Sequence, residues 1–185
     1  MSKYKNQLII VIILFSFVFV FVSYFKITYP IKYIGIINEN CKAYNLDVCQ
    51  ILSVINIESN FDKEAHSKAN ALGLMQIRLQ TANDMAKRNN AKLLEEKDLF
   101  DAEINIEYGC CYLRYLLDYY NNIELALCAY NAGLGNVNNW LKMGIISNNI
   151  VIENIPFIET RNYIKKYRKN LSIYKFYRKI GLIKY

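Results

Sequence analysis

Apolar residues recur at helical spacing along most of this chain, and no stretch alternates persistently with a period of two. A helix needs an apolar residue at every third or fourth position, whereas a half-buried strand needs strict alternation. The chain has 185 residues, of which 54% are apolar, seven are glycine and two are proline. This composition excludes collagen-like, low-complexity and intrinsically disordered chains. The sequence therefore predicts an all-α fold with a packed core.

Capping residues and glycines mark where several of these helices begin and end. Asp47 is the expected N-cap of a helix from Val48 to about Ser59, and Asp101 that of a helix to about Tyr120. A further helix is predicted from Gly73 to about Arg88. The remaining predicted helices are 124–131, a short helix through Val137 and Trp140, and one or two basic and aromatic helices after Pro156.

The segment 8–25 contains no charged residue and follows a short stretch that holds Lys3 and Lys5. As a helix it would be roughly 27 Å long, close to the thickness of a hydrocarbon core of about 30 Å. The segment is longer than the apolar part of a signal peptide and lacks a small-residue cleavage site, so an uncleaved transmembrane signal anchor is predicted, with a cleaved signal peptide as the alternative. Residues 1–7 would then be cytoplasmic, 26–32 a linker, and 33–185 an extracytoplasmic domain on the cell membrane, or a secreted one after cleavage.

The formal net charge of +7 is distributed unevenly along the chain. Residues 26–160 carry 12 basic and 16 acidic side chains, whereas 161–185 carry nine basic and no acidic ones. No nucleic-acid partner is predicted, because the body of the chain is mildly acidic. The basic tail is expected to be mostly structural, with attraction of anionic wall polymers or lipids as a secondary role.

The five cysteines have no CxxC spacing and accompany a single histidine, His66. The sequence therefore predicts neither a metal site nor a cofactor. Cys110 and Cys128 are expected to be small, buried helix residues. An odd number of cysteines cannot pair completely, and the sequence leaves their redox state open, as it does the oligomeric state.

Glu58 is the candidate catalytic residue, because it ends an apolar helix immediately before the polar segment Asn60–Leu72. Burial disfavours a charged carboxylate and raises its pKa, so such a group can hold a proton near neutral pH and donate it. The spacing alone fits an ordinary solvated glutamate at a helix end equally well.

Four separated blocks of sequence resemble one family. They are ESNF at 58–61, GLMQI at 73–77, AYNAG at 129–133 and IPFIETRNY at 155–163. In this order and at these intervals they resemble the catalytic domain of soluble-type lytic transglycosylases, which are relatives of goose-type lysozyme. The resemblance runs from about Tyr33 to the C-terminus and implies a lysozyme-like helical fold.

The resemblance also implies a reaction, the cleavage of the β-1,4 bond between N-acetylmuramic acid and N-acetylglucosamine in peptidoglycan glycan strands. Glu58 would act first as the acid and then as the base, and the product would carry a 1,6-anhydro ring in place of an added water. Two alternatives stay open at this point. They are a hydrolytic muramidase on the same fold and a non-catalytic peptidoglycan-binding or scaffolding protein.

Further site residues follow from the resemblance, and packing is the alternative interpretation of each. Gln76 would donate to a substrate oxygen, and the Tyr130 hydroxyl would steady the charged intermediate. The full set of implied substrate-binding residues is Ser67, Met75, Gln76, Tyr130, Asn131, Glu159 and Tyr163. Arg161 is expected to pair with an acid and fix its helix.

The chain departs from the family pattern at three positions around the GLMQI block. Asn70 occupies a turn position where the family usually has glycine, and asparagine tolerates positive φ better than most residues. Leu79 replaces a usual proline, and Arg78 lies where a small apolar residue is usual. The shape of the cleft near these residues is therefore expected to differ from that of the family.

Overall fold

The computed structural model describes the backbone of residues 2–184 and the side chains of residues 9, 10 and 12–184. Within this part, the helices are α1 Ser2–Thr28, α2 Ile34–Ala43, α3 Val48–Glu58, α4 Leu79–Arg88, α5 Ala102–Tyr120, α6 Ile123–Ala132, α7 Leu134–Lys142 and α8 Ile158–Lys179. Short 3₁₀ turns lie at Glu96–Phe100 and Ile152–Asn154. The strands β1 Ala71–Leu72 and β2 Ile77–Arg78 form a small antiparallel hairpin.

Helix α3 lies at the centre of the helical body. Its residues from Val48 to Ile55 are buried except Gln50, and it packs mainly against α8 and also against α2. Helix α5 packs against α2, α4 and α6. A second, smaller cluster of buried residues joins the hairpin and α4 to α5, and it includes Leu72, Ile77 and Leu99. Helix α5 therefore connects the helical body to a hairpin lobe.

Both N-cap predictions are confirmed. The Asp47 carboxylate accepts hydrogen bonds from the backbone N–H groups of Cys49 and Gln50 at 2.8 and 3.3 Å, and α3 begins at the next residue. The Asp101 carboxylate accepts hydrogen bonds from the backbone N–H groups of Glu103 and Ile104 at 2.9 and 3.1 Å, at the start of α5. Each cap satisfies N–H groups that have no partner within the helix, which is worth about 1 kcal/mol.

The predicted helix from Gly73 to Arg88 is wrong in its first part. Gly73 and Gln76 have φ values of 71° and 48°, which belong to the left-handed region, so these residues form the turn of the hairpin. The regular helix α4 begins only at Leu79. A proline would be tolerated at this first helical position, which explains how leucine and proline can exchange there. The hairpin is also an exception to the predicted all-α fold.

Among the residues whose side chains the structure describes, no helix is both long and apolar enough to cross a membrane. This finding corrects the predicted fold class, which places a transmembrane helix at 8–25. Residues 8 and 11 of that segment lie outside the described side chains, as do the predicted cytoplasmic residues 1–7.

The predicted linker, 26–32, is packed onto the helical body. Tyr29 is only 4% exposed and belongs to the main core. The Tyr174 hydroxyl of α8 donates to the Pro30 carbonyl at 3.0 Å, and the Asn56 amide of α3 donates to the Thr28 carbonyl at 3.0 Å. The end of α1 is thus held against α3 and α8.

All five cysteines are buried free thiols. Burial is the main cause that raises the thiol pKa to about 12 for Cys41 and Cys128 and to about 11 for Cys49. Burial also places the pKa of Cys110 well above its usual value. These thiols are therefore neutral at ordinary pH and behave as small apolar core residues, as predicted for Cys110 and Cys128.

Candidate active site

A cavity of about 480 Å³ opens between the hairpin lobe and the end of α6. Its lining comes from the end of α3, the segment 67–81, residue 112 of α5, residues 130–133 and the start of α8. Six of the eight predicted site residues line this cavity, namely Glu58, Ser67, Gln76, Tyr130, Asn131 and Glu159. The fold thus brings together residues that lie far apart in the sequence.

Glu58 is the last residue of α3 and is half-buried at the cavity. Burial raises its pKa from the usual 4.5 to about 7, the hydrogen bond from Tyr163 acts in the opposite direction, and the charge of Glu159 adds to the increase. Near neutral pH the protonated and ionised forms of Glu58 are therefore both populated. A carboxyl group in this condition can donate a proton in one step and accept one in the next.

Tyr163 orients this carboxyl group from behind the cavity. It belongs to α8, is 5% exposed, and its hydroxyl donates to Oε1 of Glu58 at 2.8 Å. Burial places the pKa of Tyr163 well above its usual value, so its hydroxyl keeps its proton and remains the donor. The structure places Tyr163 against the catalytic candidate, while the residues that line the cavity do not include it.

The chain turns sharply after Glu58. Asn60 and Phe61 have φ values of 51° and 62°, and the Phe61 ring is buried. The Ser59 hydroxyl donates to the Leu74 carbonyl at 2.8 Å, which ties the end of α3 to the turn of the hairpin. The ESNF block therefore positions Glu58 relative to the GLMQI block.

The GLMQI turn is held by a buried side chain that the sequence analysis missed. Oδ1 of Asn105 accepts from the Met75 N–H at 2.7 Å, and its Nδ2 donates to the carbonyls of Leu72 and Leu99 at 2.9 and 2.7 Å. A Cβ atom at Gly73 would lie 2.2 Å from that nitrogen, so only glycine fits there. The available signal is an amide whose neighbours three and four residues away on the predicted helix, Ala102, Tyr108 and Gly109, are small or apolar.

Met75 and Gln76 lie on opposite sides of this turn. The Met75 side chain is fully buried against Gly109 of α5 and does not line the cavity. Gln76 lines the cavity, but its Nε2 donates to the carbonyls of Ala65 and Gly73 at 3.0 and 2.9 Å. Both amide hydrogens are thus used within the protein, so Gln76 can meet a substrate only as an acceptor through Oε1.

Tyr130 and Asn131 form the opposite wall of the cavity. The Tyr130 hydroxyl donates to the Met75 carbonyl at 2.8 Å, and its ring lies 5.3 Å from that of Tyr112. Asn131 accepts a hydrogen bond from the Thr160 hydroxyl at 2.7 Å, which joins α6 to α8. These hydrogen bonds fix the wall. Because the Tyr130 hydroxyl already donates its proton, it can interact with a substrate only as an acceptor.

Ser67 lines the cavity but also stabilises its own turn, since its hydroxyl oxygen accepts from the N–H groups of Ala69 and Ala71 at 3.2 and 3.0 Å. Asn70 has a φ of 56°, as expected for asparagine in the place of glycine.

Glu159 and Arg161 lie in the first turn of α8. Glu159 is exposed at the edge of the cavity. Arg161 donates to the carbonyls of Ile155 and Pro156, whereas the sequence predicts an acidic partner.

Four polar or aromatic side chains of the lining have no counterpart in the predicted site. They are Lys68, Arg78, Thr81 and Tyr112. Tyr112 lies on α5, far in sequence from every block that carries the resemblance, so only the packing of α5 against α6 reveals it. Arg78 is visible in the sequence as a departure from the family pattern, and that departure is the signal that marks it.

A helical domain with one half-buried glutamate at such a cavity has the architecture of lysozyme-like domains. A sequence profile of the transglycosylase SLT domain matches residues 35–145. The chain is 30% identical to the soluble lytic murein transglycosylase of Escherichia coli over 80% of this chain and 24% of that protein. It is 35% identical to the membrane-bound lytic murein transglycosylase C of Salmonella arizonae over 57% of this chain and 32% of that protein.

A solved structure has the same fold. It is the lytic transglycosylase Slt of Pseudomonas aeruginosa, determined as an inactive glutamate-to-glutamine mutant, with a TM-score of 0.75 and 29% identity over 86% of this chain and 26% of that one. The chain therefore belongs to the transglycosylase SLT domain family. It spans between 24% and 32% of the length of these relatives.

Proposed function

We propose that this protein is a peptidoglycan lytic transglycosylase that cleaves the β-1,4 bond between N-acetylmuramic acid and N-acetylglucosamine. The observation that carries the proposal is the state of Glu58, a cavity-lining carboxyl group whose pKa is raised to about 7 by burial. Membership of the family and the names of the relatives support the same reaction. We propose that 33–185 form the catalytic domain.

In the first step, protonated Glu58 donates its proton to the glycosidic oxygen as the bond to the anomeric carbon breaks. The acetamido oxygen of the muramyl residue forms the new bond to that carbon, so the enzyme needs no carboxylate nucleophile. The N-acetylglucosamine side leaves as an alcohol. Tyr163 holds the Glu58 carboxyl group in place during this transfer through the 2.8 Å hydrogen bond to Oε1.

In the second step, ionised Glu58 removes the proton from the muramyl C6 hydroxyl. The C6 oxygen attacks the anomeric carbon, the bond to the acetamido oxygen breaks, and a 1,6-anhydro ring closes. Glu58 is protonated again and ready for the next cycle. A pKa of about 7 suits a group that is an acid in one step and a base in the next.

The remaining cavity residues bind the glycan. We propose that Gln76 accepts a hydrogen bond from a sugar hydroxyl or amide through Oε1, because its nitrogen is occupied. The Tyr130 ring offers a surface for a sugar face, while Ser67, Asn131 and Glu159 line the cavity edges. Met75 supports this surface through its backbone carbonyl, which accepts the hydrogen bond of the Tyr130 hydroxyl.

One experiment tests the reaction and separates it from the alternatives. The full chain is incubated with purified peptidoglycan, and the soluble fragments are analysed by mass spectrometry. Fragments with 1,6-anhydro ends, each lighter by one water than the hydrolysed product, support the proposal. Reducing ends would instead identify a muramidase, with exposed Glu159 as the first candidate for a second carboxylate. The absence of any fragment would identify a binding or scaffolding protein.

We also propose that the protein acts on the cell wall outside the cytoplasm, where its substrate lies. The tail 161–185 supports a second contact with anionic wall polymers or lipid headgroups. It carries nine basic and no acidic residues. Cosedimentation of the full chain with peptidoglycan that retains or lacks anionic polymers tests this role. Equal binding to the two preparations contradicts it.

A further inference from the structure

We propose that Arg78 and Lys68 form a carboxylate-binding wall of the cavity and make the enzyme selective for anionic glycan strands. The inference rests on the proposed function, because it concerns the substrate of the same site. It concerns two residues outside the four blocks that carry the family resemblance.

The two cations lie on the hairpin side of the cavity that also contains Glu58. Arg78 is the last residue of β2, and its Cα pairs with that of Ala71 on β1. Lys68 lies in the turn that precedes β1, where the Asn70 N–H donates to the Ser67 carbonyl at 3.1 Å. The hairpin therefore brings both positive charges to one wall.

Hydrogen bonds within the protein order this wall in the absence of a substrate. The Ser67 hydroxyl accepts two backbone hydrogen bonds within the turn, and the Ser67 N–H donates to the Ala71 carbonyl at 2.9 Å. The Gln76 amide connects the other end of the hairpin to the Ala65 carbonyl. A wall that is ordered in advance loses little entropy when an anion binds.

Neither cation is neutralised within the part of the chain that the structure describes. The carboxylates there that form ion pairs do so with other lysines and arginines. Arg78 is close enough to Tyr112 for its charge to counteract part of the increase that burial causes in the pKa of that phenol. The guanidinium thus acts on the cavity interior, and it is available for a ligand.

The chemistry of a glycan explains what these charges would recognise. Sugar hydroxyl and acetamido groups are neutral and are recognised by polar groups such as the Gln76 amide. A guanidinium matches a carboxylate with two parallel hydrogen bonds, and lysine adds a second charge. In peptidoglycan, carboxylates belong to the lactyl group of muramic acid, when it is unsubstituted, and to the stem peptide.

The test measures KM and kcat of the full chain, Arg78→Gln and Lys68→Gln on three soluble glycan strands. The first strand carries stem peptides, the second has lost them and exposes the lactyl carboxylate, and in the third every carboxylate has been converted to an amide. We expect Arg78→Gln to raise KM about three- to tenfold on a strand whose carboxylate is recognised, with a smaller effect on kcat. Lys68→Gln should have a smaller effect in the same direction.

Lys87→Gln is the matched control, because Lys87 is exposed on α4 and does not line the cavity. It removes the same charge, and we expect no change in KM. Arg78→Lys should recover part of the loss. A KM effect confined to the peptide-bearing strand assigns the carboxylate to the stem, and an effect on the second strand assigns it to the lactyl group.

Two results would overturn the inference. One is a wild-type KM that is the same on amidated and carboxylate-bearing strands, and the other is an equal effect of Arg78→Gln and Lys87→Gln. Cleavage with no dependence on these charges would leave the proposed function standing and remove only the inference. If no strand is cleaved, the proposed function fails. Equilibrium binding of the same strands to the same variants then shows whether the wall binds carboxylates.

Discussion

Helix α3 carries a carboxyl group at each end, and the two groups lie in opposite environments. At the N-terminus, burial acts to raise the pKa of Asp47, but the hydrogen bond and charge of Arg178 and two backbone N–H groups outweigh it, so the pKa is lowered. At the C-terminus, burial dominates and the pKa of Glu58 is raised to about 7. One helix therefore holds a carboxylate that stays charged and one that can change its charge.

The partners of a buried carboxyl group therefore decide its role. Asp47 faces the positive end of the helix dipole and an arginine, whereas Glu58 faces the negative end, a neutral phenol and a second carboxylate. The first arrangement stabilises the fold, and the second keeps a proton available for chemistry. Substitutions of each carboxyl group and of its partners test the two halves of this contrast.

Glu58→Gln should lower kcat by at least about a thousandfold, because it removes the group that transfers the proton in both steps. Release of soluble fragments from peptidoglycan measures this loss. Asp62→Asn is the control, since Asp62 is exposed in the following loop and does not line the cavity. Full loss of activity in the control as well would contradict the assignment to Glu58.

The same Glu58→Gln variant should be more stable than the wild type at alkaline pH. The folded pKa of Glu58 is raised, so its contribution to stability is fully present below the usual value of 4.5 and is lost as the pH rises through about 7. At about 1.36 kcal/mol per pKa unit, the gain at pH 8 is at most about 3 kcal/mol. Urea unfolding at pH 8 and pH 4 measures it, and an equal difference at both values would show that ionisation is not the cause.

Asp47→Ala should destabilise the protein by about 2 kcal/mol, since it removes both a helix cap and the partly buried partner of Arg178. Asp101→Ala removes a comparable cap without such a partner, so about 1 kcal/mol is expected. The pKa of Asp47 is lowered, so its contribution is present above the usual value of 3.8 and is lost as the pH falls below it. Equal losses in the two variants at pH 7 would exclude a contribution from Arg178.

Tyr163→Phe should move the alkaline limb of the pH profile of kcat to higher pH, by less than one unit. The hydrogen bond from Tyr163 lowers the pKa of Glu58, and its removal leaves the effect of burial unopposed. Tyr174→Phe also removes a buried hydroxyl from α8, but that hydroxyl binds the Pro30 carbonyl, so the profile should not move. A shift to lower pH in Tyr163→Phe would contradict the hydrogen-bond geometry.

Local signals predict part of this structure and long-range contacts determine the rest. The caps at Asp47 and Asp101 are predictable because a side chain and the N–H groups it binds lie within three residues. The hairpin at 71–78 is not, because it depends on Asn105, whose amide binds the Met75 N–H across 30 positions of sequence. The helical spacing of Leu74 and Ile77 therefore gives the wrong secondary structure there.

The candidate site shows the same division. The motif resemblance predicts Glu58, Tyr130 and Gln76 as site residues. It does not predict which of their atoms donate or accept hydrogen bonds, because that depends on neighbours distant in the sequence. The Gln76 amide is expected to donate a hydrogen bond to a substrate. Its nitrogen already donates to two backbone carbonyls, so only its oxygen is left, as an acceptor. Met75 is in the core because Gly109 leaves room for its sulfur.

Four of the buried thiols, each with a pKa raised by burial, can report local opening of the protein. A neutral, enclosed thiol reacts with an alkylating reagent only when its surroundings open, so the modification rate of each cysteine measures the local opening of its helix. Cys41, Cys49, Cys110 and Cys128 lie on four different helices, α2, α3, α5 and α6. Peptide mapping after timed alkylation would therefore rank the rigidity of these helices without any engineered label.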